Sequence, residues 1–267
     1  MTEGSFVALG DSFTEGIDDP YPDGSYRGWA DRFAGMLAAR NPELRYANLA
    51  VRGRLLGDVA TEQVPAAIAL GADLVSIAAG GNDLLRPGSD PDSLAAVFDS
   101  AVARLQAGGC RVLMFTGFDP NVFPVIKLIR GKAAAYNMHL RGIADARGCD
   151  LVDMWSMRVL CDRRAWSVDR LHLTSEAHQR VALRAAEVLG LPVTEDWRAP
   201  FPDPEPGSSL AVAPTARALW LAARRADAEW ARTYALPWIR RRIRGTSSGD
   251  NVIAKRPELL PIEAPAT

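Results

Sequence analysis

Three side chains in the sequence are of the types that nucleophilic catalysis requires: a hydroxyl, an imidazole and a carboxylate. Ser12 follows the short β-like run at 5–9, and His172 stands three residues after Asp169. A serine hydroxyl is a poor nucleophile until a neighbouring base takes its proton during attack, and histidine most often supplies that base. A carboxylate on the same loop can fix the tautomer of the imidazole and stabilise its protonated form. Ser12, His172 and Asp169 are therefore candidates for a catalytic triad.

The elements that must position these residues alternate between two sequence patterns. Short β-like runs, of which 73–78 and 111–116 are continuously apolar, are separated by longer stretches with helical spacing. Strict alternation of strand and helix predicts a parallel sheet inside a three-layer α/β domain. The predicted strands are 5–9, 45–49, 73–78, 111–116 and 150–153, and the predicted helices are 28–40, 57–70, 91–107, 132–147 and 175–189.

The candidate site residues follow predicted strands at their carboxyl ends. Ser12 comes after the first strand, Gly53 after the second and Asn82 after the third, while Asp169 and His172 come after the fifth. Open parallel sheets bind their ligands beyond the carboxyl ends of the strands. These five residues are therefore predicted to meet at one edge of the sheet.

The same residues lie in four separated blocks that resemble a known family. Ser12 stands in Gly-Asp-Ser-Phe and Asn82 in Gly-Gly-Asn-Asp, with Gly53 between them and the Asp169/His172 pair following. In type and order the blocks resemble the SGNH, or GDSL-like, hydrolases, although the name-giving Gly-Asp-Ser-Leu reads Gly-Asp-Ser-Phe here. The resemblance spans roughly residues 5–189 and implies a flavodoxin-like domain with a five-stranded parallel sheet.

The resemblance also implies a role for each residue. Ser12 would be the nucleophile of a carboxylic ester hydrolase that forms an acyl-serine intermediate, with His172 as base and Asp169 as its orienting acid. The N–H groups of Ser12 and Gly53 and the side-chain amide of Asn82 would form the oxyanion hole. We expect an esterase or lipase-like enzyme. An acyltransferase or an O-deacetylase with the same site is the alternative, and a non-catalytic binding protein is a remote one.

Each candidate has a purely structural interpretation as well. A serine after a Gly-Asp turn is usually a cap or turn residue, and Asn82 could be an Asx-turn residue. His139 and His178 lie inside predicted helices, where a structural role is favoured, and Asp83 is interpreted as a helix cap. Aromatic residues that flank the predicted site could line an acyl pocket or belong to the core: Tyr21, Tyr26, Trp29, Phe118 and Phe123.

Composition argues against several classes of protein. A net charge of −1 over 267 residues does not favour nucleic-acid binding. Cys110, Cys149 and Cys161 are widely separated, so neither a disulfide framework nor a zinc site is expected. The resemblance to the SGNH hydrolases implies no metal or organic cofactor, and a small-molecule acyl ester as the partner. No secretory signal is visible at the N-terminus, which makes a cytoplasmic location the default expectation.

The composition changes after the predicted hydrolase domain, residues 1–197. Residues 198–212 alternate proline with polar residues and are predicted to be a linker, because proline disfavours regular structure. Residues 213–245 are predicted to form a basic amphipathic helical extension, and residues 246–267 a disordered tail. The apolar stripe of the extension consists of Leu219, Ala223, Ala226, Trp230 and Tyr234.

The predicted extension is strongly basic, with eight arginines against two acidic residues. We favour the interpretation in which its apolar stripe packs on the hydrolase domain while the arginines stay solvated. Contact of its basic end with an anionic membrane or an acidic partner is the less favoured alternative.

Overall fold

The computed structural model describes residues 3–123, 126–193, 195–202, 224–225, 228–230, 232–233, 237 and 248–262. Within these residues a six-stranded sheet is flanked by helices on both faces. The strands are β1 (Ser5–Gly10), β2 (Arg45–Asn48), β3 (Leu74–Ala78), β4 (Arg111–Phe115), β5 (Asp150–Val152) and β6 (Arg256–Pro261). The helices are α1 (Ser12–Glu15), α2 (Gly28–Ala38), α3 (Leu56–Asp58), α4 (Val64–Ala69), α5 (Gly81–Leu84), α6 (Pro91–Ala107), α7 (Arg130–Arg147) and α8 (Ser175–Val188).

Shorter helical turns complete the chain trace. A π-helical turn at Val59–Gln63 joins α3 to α4, so the predicted helix 57–70 is one helical segment with an irregular centre. Turns of 3-10 helix lie at Pro120–Val122, Ile126–Ile129, Met154–Ser156, Arg158–Cys161 and Arg163–Ala165.

The strand order is β5-β4-β3-β1-β2-β6, and the first five strands in this order pair in parallel. The order 2-1-3-4-5 is that of flavodoxin-like sheets, which confirms the predicted fold class. The direction of winding reverses between β1 and β3. The carboxyl ends of these two strands therefore open side by side at the switch point where such sheets bind ligands.

The two faces of the sheet are both apolar, because successive side chains of a strand point to opposite sides. On β1, Phe6 packs in the layer of α2 and α8, while Val7 packs in the layer of α3, α4, α6 and α7. Both side chains are fully buried. Burial on two sides explains the continuous apolar runs of the inner strands and gives the site a rigid support.

A sixth strand departs from the expectation of five strands and a disordered tail over 246–267. Strand β6 pairs antiparallel with β2, where Arg45 is opposite Pro261. The expectation of disorder is therefore wrong for Arg256–Pro261. Most of its residues are exposed, and the strand is held by main-chain hydrogen bonds and by Arg256, whose Nε donates to the Tyr46 carbonyl oxygen at 2.8 Å. A strand of this kind needs no hydrophobic alternation, so its sequence carries no strand pattern.

The described part of the predicted linker is irregular but packed. Phe201 is buried, and the guanidinium group of Arg180 on α8 donates to the carbonyl oxygen of Ala199. Residues 203–212 of the linker lie outside the described residues, as does most of the extension 213–245, including Leu219, Ala223, Ala226 and Tyr234 of the apolar stripe. The division into domain, linker and extension stays a prediction. No helix among the described residues combines the length and apolarity needed to cross a membrane.

Candidate active site

The turn after β1 presents Ser12 at the first position of α1. Asp11 precedes it, and its carboxylate accepts a hydrogen bond of 3.1 Å from the N–H of Phe13, which caps the helix. Gly10 closes the strand with a positive φ of 152°. A Cβ atom at this position would lie 2.5 Å from the carbonyl oxygen of Ala78 on β3. Glycine is thus required where β1 and β3 end together, and Ser12 follows directly.

Helix α1 also fixes the segment after β2. Glu15 is 4% exposed, and its Oε2 accepts a hydrogen bond of 2.7 Å from the backbone N–H of Arg52. The guanidinium group of Arg52 forms an ion pair with the same carboxylate. Gly53 follows with a φ of 76°, a conformation that favours glycine. The nucleophile candidate and the Gly53 backbone are therefore held by the two ends of one helical turn.

Asn82 joins three of the sequence blocks. It lies on α5, directly after β3, and its Nδ2 donates to Asp11 Oδ2 at 3.0 Å and to the carbonyl oxygen of Arg54 at 3.1 Å. Asp83 does not cap its own helix, because its carboxylate accepts from the N–H of Leu56 at the start of α3, at 3.0 Å. This contact agrees with the interpretation of Asp83 as a helix cap, and the helix that it caps is α3.

A tight turn before α8 carries the remaining two candidates. Asp169 Oδ2 lies 2.6 Å from His172 Nδ1, and Asp169 Oδ1 accepts from the N–H groups of Leu171 and His172 at 2.9 and 3.0 Å. Arg170 has a left-handed φ of 60°. The N–H of Ser167 donates to the carbonyl oxygen of His172 at 2.9 Å and closes the turn. The carboxylate therefore orients both the imidazole and the backbone that bears it.

The electrostatics of this pair suit a base. Burial opposes ionisation of Asp169, but the hydrogen bonds from the His172 imidazole and from backbone N–H groups outweigh it and hold the pKa of Asp169 well below its usual range. For His172, burial alone would lower the pKa. The hydrogen bond and charge of Asp169, with the charges of Asp18 and Asp11, instead raise the pKa of His172 above its usual value.

All five predicted site residues line one cavity of about 400 Å³. This size falls in the range of about 300 to 1,000 Å³ that is common for small-molecule sites. Of the flanking aromatics for which both roles were left open, Phe118 borders the cavity, whereas Trp29 is fully buried in the core. The apolar side chains that line the cavity include Phe115, Phe118, Ile126, Met154, Trp166 and Leu173.

The other two histidines have hydrogen-bond partners outside the Asp169–His172 pair, although His178 also lines the cavity. His178 is buried, with its Nδ1 accepting from the N–H of Trp29 at 3.1 Å and its Nε2 lying 3.3 Å from the carbonyl oxygen of Ile17. Burial lowers the pKa of His178 to about 4, so it is neutral and structural. His139 lies on the surface, 2.6 Å from Asp92.

One group among the described residues has the spacing of metal ligands, namely Asp18, Asp169 and His172, with atoms within 4.8 Å of one another. The Nδ1 of His172 and the Oδ2 of Asp169 are already hydrogen-bonded to each other. The group is thus accounted for by the Asp/His pair, with Asp18 as an added negative charge.

A known family of proteins matches most of the chain. Residues 8–180 match the model of the GDSL-like lipase/acylhydrolase family, which covers more than half of the chain. The chain belongs to this family. A search of curated proteins found no match. Membership confirms the resemblance carried by the four sequence blocks and supports activity as a hydrolase.

Solved structures share the fold of this family member. It is similar to LAE5, an α/β hydrolase enzyme from the metagenome of Lake Arreo in Spain, with 24% identity and a TM-score of 0.60, over 70% of this chain and 94% of LAE5. It is also similar to an acetylxylan esterase from Geobacillus stearothermophilus, with 21% identity and a TM-score of 0.60, over 72% and 95% of the two chains. The psychrotrophic esterase EstA from Pseudoalteromonas sp. matches with 15% identity and a TM-score of 0.56, over 70% and 97%.

Sequence reasoning missed several residues around the Asp169 turn. The Ser167 hydroxyl lies 3.0 Å from Asp169 Oδ1 and contacts Asp18 Oδ2, although Asp18 and Ser167 are 149 positions apart. Trp230 also reaches this turn, and Ser248 lines the cavity. Asp18 has a positive φ of 69°, which no local sequence signal indicated. Only the folded chain brings these residues to the site.

Proposed function

We propose that this family member is a serine esterase that hydrolyses carboxylic esters with an apolar acyl group, through an acyl-Ser12 intermediate. The observation that carries the proposal is the Asp169–His172 pair, which shares one largely apolar cavity with Ser12, Gly53 and Asn82. The fold and the family support a hydrolase. The roles of the individual residues and the choice of substrate are the content of the proposal.

The hydrogen bond between His172 and Asp169 determines which imidazole nitrogen can act as the base in the proposed reaction. The Nδ1 of His172 is bonded to Asp169, which leaves Nε2 to take the Ser12 hydroxyl proton as Oγ attacks the acyl carbon. The carbonyl oxygen becomes an oxyanion, stabilised by the N–H groups of Ser12 and Gly53 and by the Asn82 amide. Nε2 then returns the proton to the departing alcohol. A water molecule, deprotonated in the same way, releases the carboxylic acid and restores Ser12.

The lining of the cavity favours acyl groups larger than acetyl. Phe115, Ile126 and Met154 offer apolar surface to an acyl chain, whereas the hydroxyl groups of a carbohydrate packed on these three side chains would find no hydrogen-bond partner in them. Burying each additional methylene contributes about 0.8 kcal/mol, which corresponds to about a fourfold gain in kcat/KM. We therefore place the substrate among esters of short to medium-length fatty acids, and O-deacetylation of carbohydrates as the alternative.

A series of p-nitrophenyl esters from acetate to dodecanoate tests this proposal. We expect kcat/KM to rise by about fourfold per methylene from acetate until the cavity is filled, and then to level or fall. A maximum at acetate would exclude the apolar-acyl assignment and favour the deacetylase. Partition of the acyl group to an added alcohol in preference to water would favour the acyltransferase. The rates should be unchanged by EDTA, since no step uses a metal ion.

A further inference from the structure

Trp230 contacts the main chain of the Asp169 turn. Its indole Nε1 donates a hydrogen bond of 2.8 Å to the carbonyl oxygen of Asp169. Trp230 lies 50 residues beyond the last residue matched by the family model, so the family core does not supply this donor. The carboxylate of Asp169 is therefore bonded to His172, and its carbonyl oxygen accepts a hydrogen bond from Trp230 in the C-terminal part of the chain.

The same indole also faces the strained residue of the turn. The guanidinium carbon of Arg170 lies 5.1 Å from the centre of the Trp230 ring and 5.7 Å from that of Phe123. Arg170 holds a left-handed φ of 60°, and an ordinary side chain adopts this conformation only where its surroundings impose it. The two aromatic rings, with the hydrogen bond to Asp169, provide such surroundings.

A second contact reaches the other half of the site. Gly249 packs so closely on Arg52 that a Cβ atom at this position would lie 1.9 Å from the Arg52 carbonyl oxygen and 3.2 Å from Val51 Cγ1. Arg52 directly precedes Gly53, and Ser248 lines the cavity beside it. The segment at 248–252 is therefore pressed against the backbone whose N–H group is proposed to bind the oxyanion.

The chain after Gly249 is firmly attached to the core. Lys255 Nζ lies 2.8 Å from Asp31 Oδ1 and donates to the carbonyl oxygens of Tyr26 and Arg27 at 2.8 and 2.7 Å. These three partners use all three hydrogens of the ammonium group. Strand β6 then pairs with β2. This attachment fixes the position of Gly249 against Arg52.

We propose that residues beyond the family core complete the active site: Trp230 positions the Asp169–His172 turn, and Gly249 positions Arg52 and Gly53. Neither residue reacts with substrate. This inference rests on the proposed roles of Asp169 and Gly53. It predicts that a change at either position lowers kcat at nearly constant KM for a short ester, because only the geometry of the transition state is disturbed.

The variant Trp230→Phe removes the indole N–H and keeps an aromatic ring. We expect kcat for p-nitrophenyl butyrate to fall by between about ten- and a hundredfold, as small misplacements of catalytic groups do. A looser Asp169 would also support the His172 imidazolium less, while Asp18 and Asp11 stay in place. The acid limb of the profile of kcat/KM against pH should therefore move to lower pH, a change that simple loss of stability would not cause.

Trp197→Phe is the matched control. Trp197 also donates its Nε1–H, to Glu187 Oε2 at 2.8 Å, and also carries a guanidinium group on its ring, that of Arg198 at 4.1 Å. This variant should keep the parental kcat and pH profile. The positioning role is wrong if Trp230→Phe has the parental kcat and pH profile. It is also wrong if the variant raises KM for long acyl esters at unchanged kcat, because Trp230 would then only contact the acyl chain.

Gly249→Ala tests the second contact with a different readout. The added methyl group must displace either the 248–252 segment or the Arg52 carbonyl oxygen, so kcat should fall by about tenfold without movement of the acid limb. Gly142→Ala is the control, since a Cβ atom there meets nothing within 4 Å. Parental kcat in Gly249→Ala would overturn this half of the inference. A parent protein that hydrolyses no ester would instead refute the proposed function itself.

Discussion

The side-chain amide of Asn82 donates to the buried carboxylate of Asp11, with 3.0 Å between Nδ2 and Oδ2. The residue before the proposed nucleophile therefore orients the proposed oxyanion donor. Burial raises the pKa of Asp11 to about 6, so the carboxylate is mostly ionised at neutral pH, beside the position where the proposed mechanism places the oxyanion. The contact holds the amide in place, and in the proposed mechanism the same amide donates to the oxyanion.

Replacement of Asp11 should separate its orienting effect on Asn82 from the effect of its negative charge. Asp11→Asn keeps one side-chain oxygen, which can accept from Asn82 in place of Oδ2, and loses the second oxygen, which accepts from the N–H of Phe13. Because the bond to Asn82 is kept, we expect kcat to stay within about threefold of the parent. Asp11→Ala removes the acceptor and the cap, and kcat should fall by at least about tenfold, towards the loss of about a hundredfold expected for Asn82→Ala. Steady-state kinetics of the three variants measure this. Equal kcat values for Asp11→Asn and Asp11→Ala would contradict the orienting role.

The pH dependence of catalysis should reflect the Asp169–His172 pair. The imidazole accepts a proton only when neutral, so kcat/KM falls as the pH drops through the pKa of His172. Because Asp169, Asp18 and Asp11 raise that pKa, the acid limb should lie above the ordinary histidine value of about 6.5. Asp169→Asn removes the largest stabilising charge, and the limb should then move to lower pH while kcat falls by more than about tenfold.

The control for this experiment is Asp92→Asn, which removes the carboxylate beside the surface residue His139. It should leave both kcat and the acid limb unchanged. An acid limb that stays at the same pH in Asp169→Asn would show that the limb reports a group other than His172.

Glu15 should matter for both stability and catalysis. It is a buried carboxylate that binds the backbone N–H and the guanidinium group of Arg52. Glu15→Ala leaves both without this partner, so we expect a loss of about 2 kcal/mol in the free energy of unfolding, since Arg52 is partly exposed. Gly53 should also shift, and kcat should fall by about tenfold.

Urea unfolding and steady-state kinetics measure the two effects of Glu15→Ala. Glu62→Ala is the control, because it removes a solvent-exposed ion pair with Arg54 whose atoms are 2.9 Å apart. Exposed pairs contribute little, so this variant should differ from the parent by less than about 1 kcal/mol. Equal stabilities of the two variants would refute the structural role of Glu15.

Lys255 should stabilise the C-terminal strand on the core. Lys255→Met leaves the Tyr26 and Arg27 carbonyl oxygens without this donor and removes the ion pair with Asp31, so the free energy of unfolding should fall by about 1 to 3 kcal/mol. Thermal and urea unfolding test this. The exposed Lys127 provides the control, since Lys127→Met should change stability by no more than about 0.5 kcal/mol. A Lys255→Met protein as stable as the parent would contradict the attachment.

Much of the fold could be predicted because the inner strands are buried on both faces. The predicted runs 73–78 and 111–116 correspond to β3 and β4 with ends that differ by one residue. Parallel topology then places the residues after β1, β2 and β3 at one edge. This rule, with the family resemblance, predicts that Ser12, Gly53 and Asn82 lie close together.

The remaining features have no local signal in the sequence. Strand β6 is mostly exposed and is stabilised by main-chain pairing, so no hydrophobic pattern marks it. The contact between Ser167 and Asp18 depends on a left-handed residue and on two loops far apart in the chain. The apolar stripe suggested that Trp230 packs on protein, but it could not identify the Asp169 carbonyl oxygen as its partner.

Covalent labelling tests the central claim most directly. A fluorophosphonate probe reacts with a serine only where a base activates the hydroxyl. The parent protein should gain one adduct, mapped by mass spectrometry to Ser12, and should lose esterase activity in proportion. Ser12→Ala should take up no probe, and His172→Ala should react far more slowly. Absence of an adduct on Ser12 in an active parent, or hydrolysis by Ser12→Ala at more than about a tenth of the parental rate, would contradict the account.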